Sequence, residues 1–94
     1  MTIAVRRQGE WMSKNDERIL ELLCSTDRCR PRDVRDELND LGIALRLDYV
    51  DKRLETLEDA GLVASDALRF RITDRGRAYL LGEFDATSIR SPQL

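Results

Sequence analysis

The residues of this 94-residue chain that could do chemistry are two cysteines and a large set of charged side chains. Cys24 and Cys29 have four residues between them, so they are not a C-x-x-C pair, and no histidine exists to complete a zinc site. Small, partly buried, reduced thiols are the expectation, with a redox switch as the alternative. Eighteen carboxylates offer chance pairings, but they fall on the solvent faces of expected helices. A G-x-S-x-G elbow, a phosphate loop and a glycine-rich nucleotide fingerprint are all missing. No catalytic residue, metal, cofactor or small-molecule ligand is therefore expected. What remains is recognition through charge and hydrogen bonds.

Arginine dominates that chemistry, fourteen residues against two lysines. A guanidinium grips a phosphate or the edge of a guanine as a planar fork, which an ammonium does not. Three groups stand out. Arg30, Arg32 and Arg35, with Arg28 just before them, surround the start of the second expected helix. Arg69 and Arg71 alternate on one face of an expected strand. Arg46, Asp48, Tyr49, Lys52 and Arg53 occupy the opening turns of a third helix. Asp48 and Asp51 repel phosphates, although a carboxylate accepts a hydrogen bond from cytosine N4. Each arginine taken singly reads equally as a solvated surface charge, and Tyr49 as a side chain packed at the core edge.

These groups need a scaffold, and the apolar spacing supplies one. A first helix runs from Ser13 to Cys24, with Ser13 as cap, Asp16 in an acidic first turn and Ile19, Leu20 and Leu23 inward. A second runs from Pro31 to Leu41, with Pro31 at its first position and Val34, Leu38 and Leu41 on one face. Arg30 falls at the cap, where it is a poor choice. The third runs from about Leu45 to Gly61, with Leu47, Val50, Leu54 and Leu57 in 3-4-3 spacing. Its opposite face carries Asp48, Lys52, Thr56 and Asp59, flanked by Tyr49 and Arg53 on one side and Glu55 on the other. After Gly61 the period becomes two. "LVAS" and "LRFRIT" read as strands around a turn at Ser65-Asp66-Ala67, with Leu68, Phe70 and Ile72 inward and Arg69 and Arg71 outward. Thr73 caps a last helix, "TDRGRAYLLGE".

That order predicts a mainly α chain with a small β-hairpin (α+β): a winged helix-turn-helix, with a three-helix bundle, a wing and a C-terminal helix. The expected divisions are a lead-in over 1–12, the winged helix-turn-helix domain over 13–84 and a flexible tail over 85–94. The opening of the third helix would then lie in the major groove of double-stranded DNA, with the arginines of the second helix and the wing on the flanking backbone.

Bulk composition neither forces nor forbids this. Charged residues make up 36% of the chain and the formal net charge is −2, so no global basic field points to nucleic acid. The excess of Arg over Lys resembles a high-GC genome, and eleven Asp with scarce Lys resembles salt-loving archaea. No apolar run is long enough to span a membrane and no secretion signal follows Arg6 and Arg7, so a cytoplasmic protein is expected.

Three stretches, "GEWMSKNDERILELL" (9–23), "YVDKRLETLEDAGLV" (49–63) and "RITDRGRAYLLGEFDA" (71–86), resemble the haloarchaeal winged-helix proteins related to the phage phiH repressor. Together they span about half the chain, in order. The Trp-Met pair before the first helix is the more specific part. The resemblance implies DNA binding, transcriptional control as a repressor, a homodimer and a halophilic source. Departures fall at the opening of the third helix, where Asp48 and Asp51 stand in place of donors to bases, and at a wing tip without Gly, Lys or Arg. The large apolar residues outside the bundle, Trp11, Met12, Tyr79, Leu80 and Phe84, are the expected dimer interface, together with Leu81, with packing inside the domain as the alternative for Trp11, Tyr79 and Phe84. The alternative function is a winged-helix adaptor that binds protein and no DNA, suggested by the acidic third helix and the plain wing.

Overall fold

The computed structural model describes Arg6 and residues 8–88. Helix α1 (Lys14–Ser25) starts where Ser13 and Asp16 exchange hydrogen bonds: the Ser13 hydroxyl accepts from the Asp16 amide and the Asp16 carboxylate accepts from the Ser13 amide at 2.9 Å. Helix α2 (Pro31–Asp40) has Arg30 at its cap, and Asp33 accepts from the Arg30 amide at 3.1 Å. The Arg30 side chain, which can only donate, makes no cap hydrogen bond of its own. Helix α3 (Leu47–Asp59) begins two residues later than its pattern suggests, after the Asn39 side chain has accepted from the Leu45 amide at 3.0 Å.

The hairpin follows as β1 (Val63–Asp66) and β2 (Arg69–Ile72), antiparallel, with Val63 opposite Ile72 and Asp66 opposite Arg69. Its turn is Ala67-Leu68, not Ser65-Asp66-Ala67. The register therefore puts Val63, Ser65, Phe70 and Ile72 on one face and Ala64, Asp66, Arg69 and Arg71 on the other. Leu68, expected inward, sits in the turn and is 81% exposed. Cys29 pairs with Phe70 as a short third edge, exchanging two backbone hydrogen bonds of 3.0 and 2.7 Å.

Helix α4 (Asp74–Leu80) is capped by the Thr73 hydroxyl, which accepts from the Gly76 amide at 3.1 Å. Gly76 allows α4 to lie against the hairpin base, because a Cβ there would run into the Leu62 carbonyl oxygen and lie 2.6 Å from Ile72. Gly61, at φ +79°, turns the chain out of α3 into β1.

The core is one cluster of Ile19, Leu20 and Leu23 from α1, Val34 and Leu38 from α2, Val50, Leu54 and Leu57 from α3, and Leu62, Val63, Ile72 and Tyr79. Three helices, a wing and a closing helix make a winged helix-turn-helix. Two expectations about α3 shift: Leu47 is only half-buried, and Thr56 is buried, its hydroxyl donating to the Lys52 carbonyl at 2.9 Å. Met12 and Ala86 also join the core, so packing extends to both sides of residues 13–84, and a 3₁₀ turn forms at Ala86–Ser88. Residues 1–5 and 7 of the lead-in and 89–94 of the tail lie outside the described residues.

Candidate nucleic-acid interface

The opening half of α3 presents Asp48, Asp51, Lys52 and Glu55 to solvent. Arg53 is not with them. Its guanidinium folds back onto α1, where Nε donates to Asp16 Oδ1 at 2.8 Å and Nη2 donates to Asp16 Oδ2 at 2.6 Å and to the Trp11 carbonyl at 3.0 Å. The Asp16 side chain is fully buried and that of Arg53 is 16% exposed. The hydrogen bond to Asp16 raises the Arg53 pKa against the opposing effect of burial. One turn earlier, the Tyr49 hydroxyl lies 3.5 Å from the Ser13 hydroxyl and 3.4 Å from the Asn15 amide nitrogen. This flank of α3 is therefore fastened to the start of α1.

With Arg53 committed to Asp16, α3 keeps Lys52 and Arg46 as cations on its open side, and Arg46 is 3.5 Å from Asp48. The helix face is more acidic than its composition suggests. The free positive charge sits off the helix, at the start of α2 and on the wing. Among the described residues, the exposed Arg30, Arg32, Arg69 and Arg71 make no ion pair. Arg35 is half-buried and pairs with Asp36 at 2.8 Å.

The Cys29–Phe70 bridge decides how the arginines gather. An antiparallel bridge there brings Arg28 and Arg30, the neighbours of Cys29, alongside Arg71 and Arg69, the neighbours of Phe70. Arg28 then reaches Asp66, at 3.0 Å, and neutralises the acid nearest the wing tip. Arg28 belongs with the wing as much as with α2. Its sequence neighbours gave no sign of this, since the bridge joins segments about forty residues apart.

Between the start of α2, the opening of α3 and the hairpin lies an open groove of about 700 Å³. Its lining includes Arg30, Arg32 and Asp33 at the start of α2, Leu47, Asp51 and Glu55 from α3, and Leu68 and Phe70 from the hairpin.

The residues expected at a dimer interface divide in two. Tyr79 is fully buried in its own chain, where its hydroxyl donates to Glu17 at 2.8 Å, and Met12 and Leu80 are nearly so. Burial and the bond to Glu17 push the Tyr79 pKa upward. Trp11 and Phe84 stay half-exposed, and Leu81 is 61% exposed. Trp11 is also the residue whose carbonyl holds Arg53.

Cys24 is exposed, with Arg77 3.3 Å from its sulfur, whereas Cys29 is buried. Among the described residues no group of three His, Cys, Asp or Glu is placed to hold a metal ion, and no helix is long and apolar enough to cross a membrane.

The crystal structure of the PhiH1 repressor-like protein from Haloarcula marismortui is similar to this chain throughout. The two are 34% identical, the match covers 95% of this chain and 99% of that one, and the TM-score is 0.84. No protein-family model and no curated protein matches the chain.

Proposed function

Because the chain belongs to the PhiH1 repressor-like proteins, we propose that it is a sequence-specific transcriptional repressor that binds double-stranded DNA as a homodimer. The observation that carries this reading is the set of exposed arginines without an ion pair that the Cys29–Phe70 bridge gathers near the α3 opening, Arg30 and Arg32 at the start of α2 and Arg69 and Arg71 on the wing. These side chains take the phosphates. The opening of α3 enters the major groove with Lys52, Asp48 and the edge of Tyr49 toward the bases, and Arg46 at its mouth. Arg53 acts through Asp16, setting the angle of α3, and does not touch DNA. Trp11, Phe84 and Leu81 give the apolar surface for the second copy, with Met12 and Leu80 behind them.

The test is fluorescence anisotropy with the duplex upstream of the protein's own reading frame and with a mixed-sequence duplex, over a series of potassium chloride concentrations. Arg69→Gln with Arg71→Gln should weaken binding to both duplexes alike and make the log–log salt dependence shallower by roughly two. Substituting Lys52 should change the ratio of the two affinities. Unchanged binding by the double arginine variant overturns this docking.

One observation favours a second reading, an adaptor that binds protein. The groove beside α3 is lined by three acids, Asp33, Asp51 and Glu55, two arginines and the apolar Leu47, Leu68 and Phe70. That surface suits a peptide with basic and apolar residues better than a phosphate backbone. Wild-type protein that binds neither duplex at low or high salt would favour this reading.

A further inference from the structure

The turn between α2 and α3 is held in two stages. Helix α2 ends by reversing the chain through a left-handed residue, Gly42 at φ +86°. The Gly42 amide donates to the Asn39 carbonyl at 2.9 Å and the Ile43 amide to the Leu38 carbonyl at 2.9 Å. These backbone bonds hold the chain as far as Ile43. Helix α3 has no comparable hold at its own start, because Arg46 stands at the cap and makes no side-chain cap hydrogen bond. Asn39 closes the gap. Its side-chain oxygen reaches six residues forward and accepts from the Leu45 amide at 3.0 Å, one residue before the cap.

Asn39 is exposed, so this bond adds little to the core. Its consequence is geometric. Further along, α3 is tied to α1 through Arg53 and Asp16, at 2.8 and 2.6 Å. Two points fix the direction of a rod, and the Asn39–Leu45 bond is the second. Between the two ties lie Arg46, Asp48, Tyr49 and Lys52, the side chains assigned above to the groove. The arginines assigned to phosphates, Arg30, Arg32, Arg69 and Arg71, stand off α3 and do not depend on this bond.

Resting on the DNA-binding reading above, we propose that Asn39 is a positioning residue for sequence discrimination: it makes no contact with DNA, and its bond to the Leu45 amide sets the start of α3 so that the side chains of the opening turns meet base edges. A hydrogen bond to a base edge weakens steeply with distance and angle. Attraction to phosphates carries no sequence information and tolerates a small displacement. Loosening the start of α3 therefore costs preference among sequences before it costs affinity for DNA in general.

The test uses the full chain, the two duplexes already named, and three variants. Asn39→Ala removes the acceptor, Asn39→Gln moves it outward by one methylene, and Asn39→Asp keeps an oxygen in place. The position is exposed, so all three should fold. Hydrogen exchange at the Leu45 amide, followed by NMR on the free protein, should be faster in the Ala and Gln variants than in wild type or Asn39→Asp. The Ala and Gln variants should lower the ratio of upstream to mixed-sequence affinity about fivefold, the equivalent of one hydrogen bond. Their affinity for the mixed-sequence duplex and their salt slope should stay those of wild type, because no phosphate contact is lost. Asn39→Asp should keep the wild-type ratio, its added charge lowering both affinities together. A wild-type ratio in Asn39→Ala overturns the inference and leaves the DNA-binding reading standing. Equal weakening on both duplexes by Asn39→Ala, the mark of a merely structural residue, also overturns it. So does an Asn39→Asp ratio as low as that of Asn39→Ala. Wild type that binds neither duplex, or shows no preference between them, removes the reading on which the inference rests.

Discussion

Arg53 and Arg71 are the same residue type, and both border the proposed DNA surface, yet their surroundings are opposite. Arg53 is enclosed at the junction of α1 and α3, with a fully buried carboxylate and a backbone carbonyl as partners. Arg71 is exposed on the wing and, among the described residues, has no ion-pair partner. The first arginine makes three hydrogen bonds inside the protein, from Nε and Nη2, and fixes shape. The second keeps its donors for something outside. A helical wheel cannot separate these cases, because it gives direction from the axis and not what stands there. The clamp is paired and buried, while the wing carries free charge and positive φ at Ala67 and Leu68.

The largest expected effect lies in the clamp. Asp16→Asn leaves the Arg53 guanidinium buried without its counter-charge and weakens the α1 cap, and breaking a buried pair in this way costs about 3 kcal/mol. Arg71→Gln removes an exposed charge and should change stability by less than about 0.5 kcal/mol. Urea unfolding followed by circular dichroism compares them directly. Equal midpoints for the two variants would abolish the distinction between a structural and a contacting arginine.

A smaller effect is expected on the open face of α3. With Arg53 withdrawn, Asp48 and Asp51 stand against little positive charge on the helix itself. If they select against poorly matched DNA, Asp48→Asn with Asp51→Asn should raise affinity for the mixed-sequence duplex several-fold, on the order of 1 kcal/mol, and affinity for the upstream duplex by less. An equal gain on both duplexes would reduce the acids to general repulsion. No change on either would place α3 outside the groove and shift all contact to the wing.

The order of elements was legible in the sequence because each has strong local punctuation: Ser13 and Thr73 at caps, Pro31 at the first position of α2, Gly61 at an exit, and a change of period from about 3.6 to 2 at the hairpin. The wing tip was misplaced because the usual turn signal is missing. Ser65-Asp66-Ala67 is richer in turn formers than Ala67-Leu68, and only the pairing of Asp66 with Arg69 moves the turn. The arginine cluster was half legible. Alternation gave Arg69 and Arg71 a common face, but Arg28 joins them through a backbone bridge at Cys29, and that pairing has no side-chain signature. The role of Arg53 was hidden because Asp16 already had a local explanation, as an acid in the first turn of α1. Its second use, as counter-ion to a residue thirty-seven positions away, requires the packed structure. The place of Tyr79, inside its own domain and not at an interface between copies, was hidden for the same reason: an aromatic residue with a hydroxyl fits either, and the difference here is the partner, Glu17.

That tyrosine provides the smallest and last comparison, within the satisfied side of the molecule. Tyr79 donates its hydroxyl proton to Glu17, which Arg6 approaches at 3.8 Å. Burial first, and the bond to Glu17 second, hold the folded-state pKa above the ordinary value of 10.0. The unfolded chain releases this proton near pH 10, while the folded chain keeps it, so above that pH the native state binds more protons than the unfolded state. Stability must then fall as pH rises. The contribution of the Tyr79 hydroxyl is complete below about pH 10 and is lost progressively above it, by at most about 1.4 kcal/mol per pH unit. Tyr79→Phe lacks the ionising group and loses one hydrogen bond, about 1 kcal/mol at neutral pH. Wild type should therefore be slightly more stable than Tyr79→Phe at pH 7, with the gap closing and then reversing as pH climbs past 10. Urea midpoints for both proteins across that range measure it. A gap that stays constant would mean the hydroxyl ionises as easily in the folded chain as in the unfolded one, so that its burial against Glu17 has no energetic consequence.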